Sequence, residues 1–451
     1  MPHFIDLFQE VLRKKKNHMR EMINRDLTSS LQNRFKELFH HHWHPLPKTQ
    51  SPDAHIFAVD GSGGLRQYST GALLYVARAF GISNHGKTFR VLDADIFLAR
   101  GGEEEIRKYL TLKVEYMELL AAIQSLKLTE SPSYILIDGS LYGRAMHLVK
   151  EAAAEGDRDF PLHYMETYCN LIEECRQKGV IPIGISKDSR AEFFRNKILD
   201  WICIEKLEHL KGIIEPEDLR ALRYCLKNLD EKPHHALARF SRLKEKYGEV
   251  LDCFEDLLDE YRRGMSDFQV IKNHAQTPGY TTPIELGPAR PNAIRRFRAM
   301  RDNPERYLRL RFRNTLADMR EQENDLLKYG VTVLKQVVNF PTVVSFHLLM
   351  DTRDTPIRVD IPSWVIGLNH HMGEFEGSQF LEEKVDAVTT IIEVLKRGYA
   401  GLRNYNVWLS AADERVRLKR RDIDEIYEPL LSRELGLTLI HSRRYRRVKY
   451  P

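Results

Sequence analysis

Apolar positions recur at helical spacing at the start of the chain: Phe4, Leu7, Phe8, Val11 and Leu12, then Leu31, Phe35, Leu38 and Phe39. They predict one or two amphipathic helices within residues 1–50, leading into a domain. At HIFAVDGSGG the pattern becomes a continuous apolar run closed by Asp60 and glycine, which reads as a buried strand and a tight turn. TGALLYVARAFGI and FRVLDADIFLA read as two further strands, and their short connections predict an antiparallel meander. Residues 103–128 have the spacing of a helix, SYILIDGSL that of a buried strand ending at Asp138, residues 145–178 that of a second helix, and GVIPIGISKDS that of another strand.

The order β-β-β-α-β-α-β is that of a ribonuclease-H-like α/β core: a mixed sheet in which an antiparallel meander is extended by parallel strands, flanked by helices, with right-handed crossovers. Residues 51–190 are expected to form its first part. Residues 191–325, polar and rich in Arg and Lys, read as a helical, basic insertion. Residues 326–430 complete the core, with VTVLKQVVNF, TVVSFHLLM and RVDIPSWV as strands and residues 380–398 as a helix stopped by Gly398. Residues 431–451 form a basic tail.

With 451 residues and 42% hydrophobic positions, the chain can bury a sizeable core. Its net charge of +5 suits a polyanionic partner without requiring one. Cys169, Cys175, Cys203, Cys225 and Cys253 form no CxxC pair, which points to reduced thiols in a cytoplasmic protein. No apolar stretch is long enough for a signal peptide or a membrane span, so no membrane partner is expected. His40, His41, His42 and His44 cluster, but adjacent side chains diverge on regular backbone, so a polar helix end is the simpler reading than a metal site.

The chemistry gathers at repeated Asp-Gly-Ser motifs, AVDGS at Asp60 and LIDGS at Asp138. Two carboxylates emerging side by side from neighbouring strands repel unless a cation lies between them, and hard divalent ions favour oxygen ligands. Taken singly, each reads more simply as an Asp that opens a turn, and only the pair on consecutive apolar strands brings the two readings level. Glu115 and Glu118 share one face of the intervening helix, each either a flank residue or a ligand. Glu103, Glu104 and Glu105 compensate the dipole at its start. Lys187, in GISKDSR, could neutralise charge on a phosphate or be a solvated turn residue, and Asp188 beside it a ligand or a turn acid. The run from Arg295 to Arg313 includes Arg295, Arg296, Arg298, Arg309 and Arg311, with Phe297, Tyr307 and Phe312 interleaved. It reads either as a nucleic-acid contact or as a solvated face with arginine stems over apolar surface. The terminal SRRYRRVKYP is also basic.

AVDGSGG, the helix with VEYMELL, LIDGSL, GISKDS, RVDIP and KRGYAGL resemble, in order, the blocks of NurA-family nucleases over about residues 55–415. The resemblance implies a Mn2+- or Mg2+-dependent nuclease that degrades DNA 5′ to 3′ and cuts single strands internally. It also implies a homodimer working with HerA, a hexameric ATP-driven translocase. Asp60 and Asp138 match the family's metal-binding aspartates, Glu115 (followed by Tyr116) its helix glutamate with Glu118 as the alternative, and Lys187 its Ser-Lys block. Where the family has a histidine, WLSAADER places Ala412 with Asp413 beside it: either the blocks are offset here, or Asp413 serves as the last metal ligand, or activity is altered. An alternative is a catalytically impaired DNA-binding or assembly subunit of a HerA-type complex.

Overall fold

The computed structural model describes residues 3–23, 29–48, 53–128, 132–187, 189–227, 229, 232–318 and 322–440. Asp188 and the terminal SRRYRRVKYP lie outside them. The chain divides into two compact units, one formed by Met1–His44 and Asp188–Thr281, the other by Pro45–Lys187 and Thr282–Pro451.

In the second unit, the three expected strands are β1 (Ile56–Gln67), β2 (Leu73–Ser83) and β3 (Thr88–Phe97), followed by helix α1 (Glu103–Ser125). Then come β4 (Tyr134–Asp138), the short α2 (Leu141–Ala145), α3 (Phe160–Lys178) and β5 (Ile181–Ser186). β1 pairs antiparallel with β2, and β2 with β3, while β4 runs parallel to β1 and β5 parallel to β4. The resulting order 3-2-1-4-5 is the ribonuclease-H-like core. The sheet continues with β6 (Ile284–Leu286), β7 (Val343–Leu349), β8 (Ile357–Pro362) and β9 (Ser378–Phe380). β8 joins β5 antiparallel, β7 joins β8, β6 joins β7 and β9 joins β6. β4 and β7 are nearly all apolar, as strands covered on both faces must be.

Two sequence expectations change here. VTVLKQVVNF is not a strand: residues 331–338 lie in a helix, Glu323–Val338, whose Leu326, Leu327, Gly330, Val333, Leu334 and Val337 are buried at helical spacing. A dense run of β-branched residues hides that period. The turn expected at Asp60 is also absent. β1 runs on through Gly61-Ser62-Gly63-Gly64 to Gln67, paired with β2 along its length. Its glycines admit close neighbours instead. A Cβ at Gly61 would stand 2.7 Å from Val114 and collide with Glu118, and one at Gly63 would meet Val114 at 2.5 Å, so α1 packs directly on the strand. Gly64, facing the other way, lies under Ile423.

Helices α4 (Pro291–Asp302), α5 (Pro304–Arg311) and α6 (Glu323–Val338) precede β7. After β9, α7 (Thr389–Gly398) ends at the expected glycine, whose bare Cα lies under Trp408 and Asn406. α8 (Val407–Val416) and α9 (Glu428–Leu435) complete the described chain.

The other unit is helical. Phe4–Ile23 is the amphipathic helix the spacing predicts, yet none of its residues is buried, whereas Leu31, Phe35 and Phe39 of Ser29–His41 are. Asp267 accepts from the Phe194 and Arg195 amides at the start of Phe193–His209, and Arg195 pairs with Glu260 across 3.0 Å, both fully buried. His40 and His41 close their helix, and burial drives the His42 imidazole down to about 4. Among the described residues, no helix is long and apolar enough to cross a membrane.

Candidate active site

The parallel pairing of β1 with β4 sets Val59 opposite Ile137, so Asp60 and Asp138 are the next residues along two adjacent strands. Asp138 ends its strand. Gly139 follows at φ +104°, a conformation glycine adopts without strain, and its amide donates to the Ile185 oxygen across 2.8 Å. On β5, Asp138 stands opposite Ile185, and two residues later the Lys187 ammonium lies 3.0 Å from Asp138 Oδ2. Three consecutive parallel strands therefore deliver Asp60, Asp138 and Lys187 at the same end of the sheet.

A third acid arrives from α8. Asn406 caps this helix, its Oδ1 accepting from the Trp408 and Leu409 amides, and Ala412 and Val416 pack on Phe80. Phe80 stands opposite Asp60 in the β1–β2 register. Ala412 is thus a wholly buried packing residue, while Asp413 beside it pairs with Arg417 at 2.5 Å and lies near enough for its charge to act on Asp60. Asp60 is only 6% exposed. Burial pushes its carboxyl up to about 7, with the charges of Asp138 and Asp413 adding to the rise, while the Gly61 amide at 2.8 Å and Lys187 oppose it.

Tyr405 completes this group, and no sequence pattern singled it out, because one aromatic residue ahead of an N-cap asparagine is unremarkable. The Lys187 ammonium sits 4.6 Å from the centre of its ring. The Tyr405 hydroxyl is buried without a hydrogen-bond partner among the described residues. Burial first, then Asp138, Asp60 and Asp413, raises its proton affinity far above that of an ordinary phenol.

The two helix acids separate. Glu118 lies against Gly61, beside Asp60, and is paired with the buried Arg144. Burial raises its carboxyl, helped by Glu115 and Asp60 and opposed by Arg144. Glu115 accepts from the Tyr164 hydroxyl at 2.6 Å and pairs with His147 at 2.8 Å. Burial would raise Glu115 as well, but Arg144, His147 and Tyr164 together hold it at about 2. Arg144 also donates to the Asp138 main-chain oxygen across 2.9 Å, and despite burial the acids beside it keep its proton on.

Asp360, from RVDIP, braces the turn after Asp138. Fully buried, it accepts from Arg358 Nε at 2.9 Å, Ser140 Oγ at 2.6 Å and the Tyr142 amide at 3.2 Å. Burial acts to raise its carboxyl, but Arg358 and these bonds hold it below the usual range.

The arginine run is built into the packing of the helices before β7. Phe297, Tyr307 and Phe312 are buried, so their rings serve the core and offer no stacking face. Arg296 donates to the Met146 oxygen at 2.9 Å, Arg298 makes two 2.6 Å bonds to Glu376, and Arg309 pairs with Glu305 at 2.9 Å and Glu323 at 2.5 Å. Arg295 bonds Asn292 at 2.5 Å, and Arg311 lies 5.9 Å from the Tyr307 ring centre.

The profile of the NurA domain family matches residues 54–418. Among solved structures, the chain is similar to the NurA nuclease of Sulfolobus solfataricus, with 15% identity, a TM-score of 0.52, and 96% of this chain and 97% of that one covered. A second NurA crystal structure aligns at 16% identity and a TM-score of 0.43, over 93% of this chain and 97% of that chain. No curated protein matches the sequence.

Proposed function

Since the chain belongs to the NurA nuclease family, we propose that it is a divalent-metal-dependent DNA nuclease whose ion is held by Asp60, Asp138 and Asp413. The observation that carries this reading is the in-register placement of Asp60 and Asp138 on adjacent parallel strands. The donor set fits such an ion: the charges of Asp138 and Asp413 add to burial in raising the Asp60 carboxyl to about 7, and a hard cation relieves that repulsion. Mn2+ or Mg2+ bound there supplies a water of lowered pKa and a Lewis acid for the phosphodiester.

The chain's own groups set up the rest. Lys187, held over the Tyr405 ring and against Asp138, places a cation where a phosphate oxygen would lie next to the acids. The unpartnered Tyr405 hydroxyl is a donor for the same phosphate or for the attacking water. Glu115, engaged by Tyr164 and His147, and Glu118, paired with Arg144, act as positioning residues that steady Asp138 through Arg144, in place of the helix-ligand role expected of Glu115.

As part of the same reading, the enzyme is a cytoplasmic homodimer that degrades DNA 5′ to 3′, cuts single strands, and works with a HerA-type hexameric ATPase. Residues 81–88 spell the Walker A pattern but form the hairpin between antiparallel β2 and β3 and do not open a helix, so a separate motor would supply translocation. The arginines Arg295, Arg296, Arg298, Arg309 and Arg311 are kept as structural residues of α4 and α5, not as the main DNA contact. The test is cleavage of 5′- and 3′-labelled linear DNA by the full chain with MnCl2 or MgCl2. Asp60→Asn should lose at least 100-fold in rate while its circular dichroism is unchanged, and an undiminished rate would refute the reading.

A further inference from the structure

We propose that residues 415–421 form a phosphate-binding strip that holds a single DNA strand along the Asp60 side of the sheet. As a description of substrate binding, this rests on the nuclease reading above.

The strip lies on the same sheet face as Asp60. Along β1, positions 60, 62, 64 and 66 share one face, while Gly61 and Gly63 face α1. Positions 62, 64 and 66 each touch the chain that follows Asp413. Ser62 Oγ accepts from the Leu418 amide at 2.9 Å, Gly64 lies under Ile423, and Arg66 donates to the Arg420 oxygen at 3.0 Å and pairs with Asp424. From β2, Arg78 donates to the Val416 and Arg417 oxygens, each at 2.8 Å. A segment fastened at so many points presents its side chains from a fixed backbone.

Within seven residues stand Arg415, Arg417, Lys419, Arg420 and Arg421, all exposed. The acids nearby are already engaged: Asp413 with Arg417, Glu425 with Arg421, Asp424 with Arg66, and Asp422 with the Lys419 amide at 3.0 Å and Arg78 at 3.6 Å. Among the described residues of this segment, only Glu414 projects into solvent as an acid without such a partner. Arg415 and Lys419 make no ion pair among the described residues, although Arg415 lies 5.6 Å from the Phe80 ring centre, and Phe80 stands opposite Asp60. Unpaired cations on a rigid segment beside the acids are what a phosphodiester backbone requires. By contrast, Arg298 and Arg309 already have carboxylate partners.

Fluorescence anisotropy of a labelled oligothymidylate with the full chain in EDTA, over a series of NaCl concentrations, tests the strip without cleavage. Arg415→Ala with Lys419→Ala should weaken binding roughly tenfold and flatten the log Kd against log [NaCl] slope by about 1.4, because each phosphate neutralised on a single strand contributes about 0.7. Arg298→Ala with Arg309→Ala, an equal loss of charge, should leave the slope unchanged. Arg415→Lys with Lys419→Arg should retain both affinity and slope. Equal effects of the two alanine pairs, or loss of binding in the charge-conserving variant, would overturn the strip. The nuclease reading fails separately, if Asp60→Asn still cuts.

Discussion

Arg144 donates to the main-chain oxygen of Asp138 across 2.9 Å while the same guanidinium nitrogen bonds the Glu118 carboxylate. A buried cation thus ties the end of β4 to α1, on the side of the sheet opposite Asp413. Replacing Arg144 by methionine keeps most of the volume but leaves Glu118 buried without its partner. The expected cost is about 3–5 kcal/mol, read as a lowered midpoint in urea unfolding. A variant as stable as the parent would show that the pair holds nothing together.

Asp60 makes the ion-free protein sensitive to pH. Its carboxyl ionises near 3.8 in an ordinary setting and at about 7 in the fold. Between those values the folded protein keeps a proton that the unfolded chain has released, so stability falls as pH rises through this window and levels off above it. In EDTA, Asp60→Asn should match the parent near pH 4 and exceed it at pH 8, by an amount on the order of 2–4 kcal/mol at 1.36 kcal/mol per unit. Parallel melting-temperature profiles for the two proteins would contradict this.

Tyr405→Phe separates chemistry from packing. Phenylalanine keeps the ring beneath Lys187 and removes a buried hydroxyl that has no partner. Stability should hold or rise by up to about 1 kcal/mol, while cleavage slows about 10-fold or more for loss of a donor. Unaltered cleavage would make Tyr405 a packing residue.

For Lys187→Ala, cleavage should fall by about 10²–10³, with little change in melting temperature because the ion pair to Asp138 is more than one-third exposed on the lysine side. Single-turnover rates at saturating protein isolate this step from binding.

Gly61→Ala should cost about 1–3 kcal/mol, because the added carbon meets Val114 at 2.7 Å and the Glu118 carboxylate. Thermal unfolding that matches the parent would mean that α1 can withdraw from the strand freely.

The meander, the parallel strands and the pairing of Asp60 with Asp138 were legible because apolar runs and Asp-Gly-Ser motifs are local features. What was not legible depended on partners distant in sequence. Asp-Gly at position 60 looks like a turn, yet its glycines serve helix packing. VTVLKQVVNF looks like a strand, yet its buried positions repeat with helical period. Glu115 and Glu118 share a helix face, and only the positions of Arg144, His147 and Tyr164 reveal their different surroundings. Tyr405 joins the acids because α8 packs on Phe80, a pairing across more than 300 residues that no local pattern encodes, whereas Asp413 was reached through the family resemblance alone. Within the arginine run, partners such as Glu376 of Arg298 and Glu323 of Arg309 lie elsewhere in the chain, so no local pattern could reveal them.

The alternation along β1 also governs which changes this stretch of chain can survive. Positions 61 and 63 must stay without side chains so that α1 can sit down, and positions 60, 62 and 64 must carry an acid, a hydroxyl and then nothing. Inserting or deleting one residue before Asp60 would exchange the two series, thrusting a carboxylate into the α1 contact and turning a bare glycine toward the substrate side. Length variation among related chains should therefore be excluded from residues 56–66 and tolerated at the hairpin that follows, where Gly71 has open space around it.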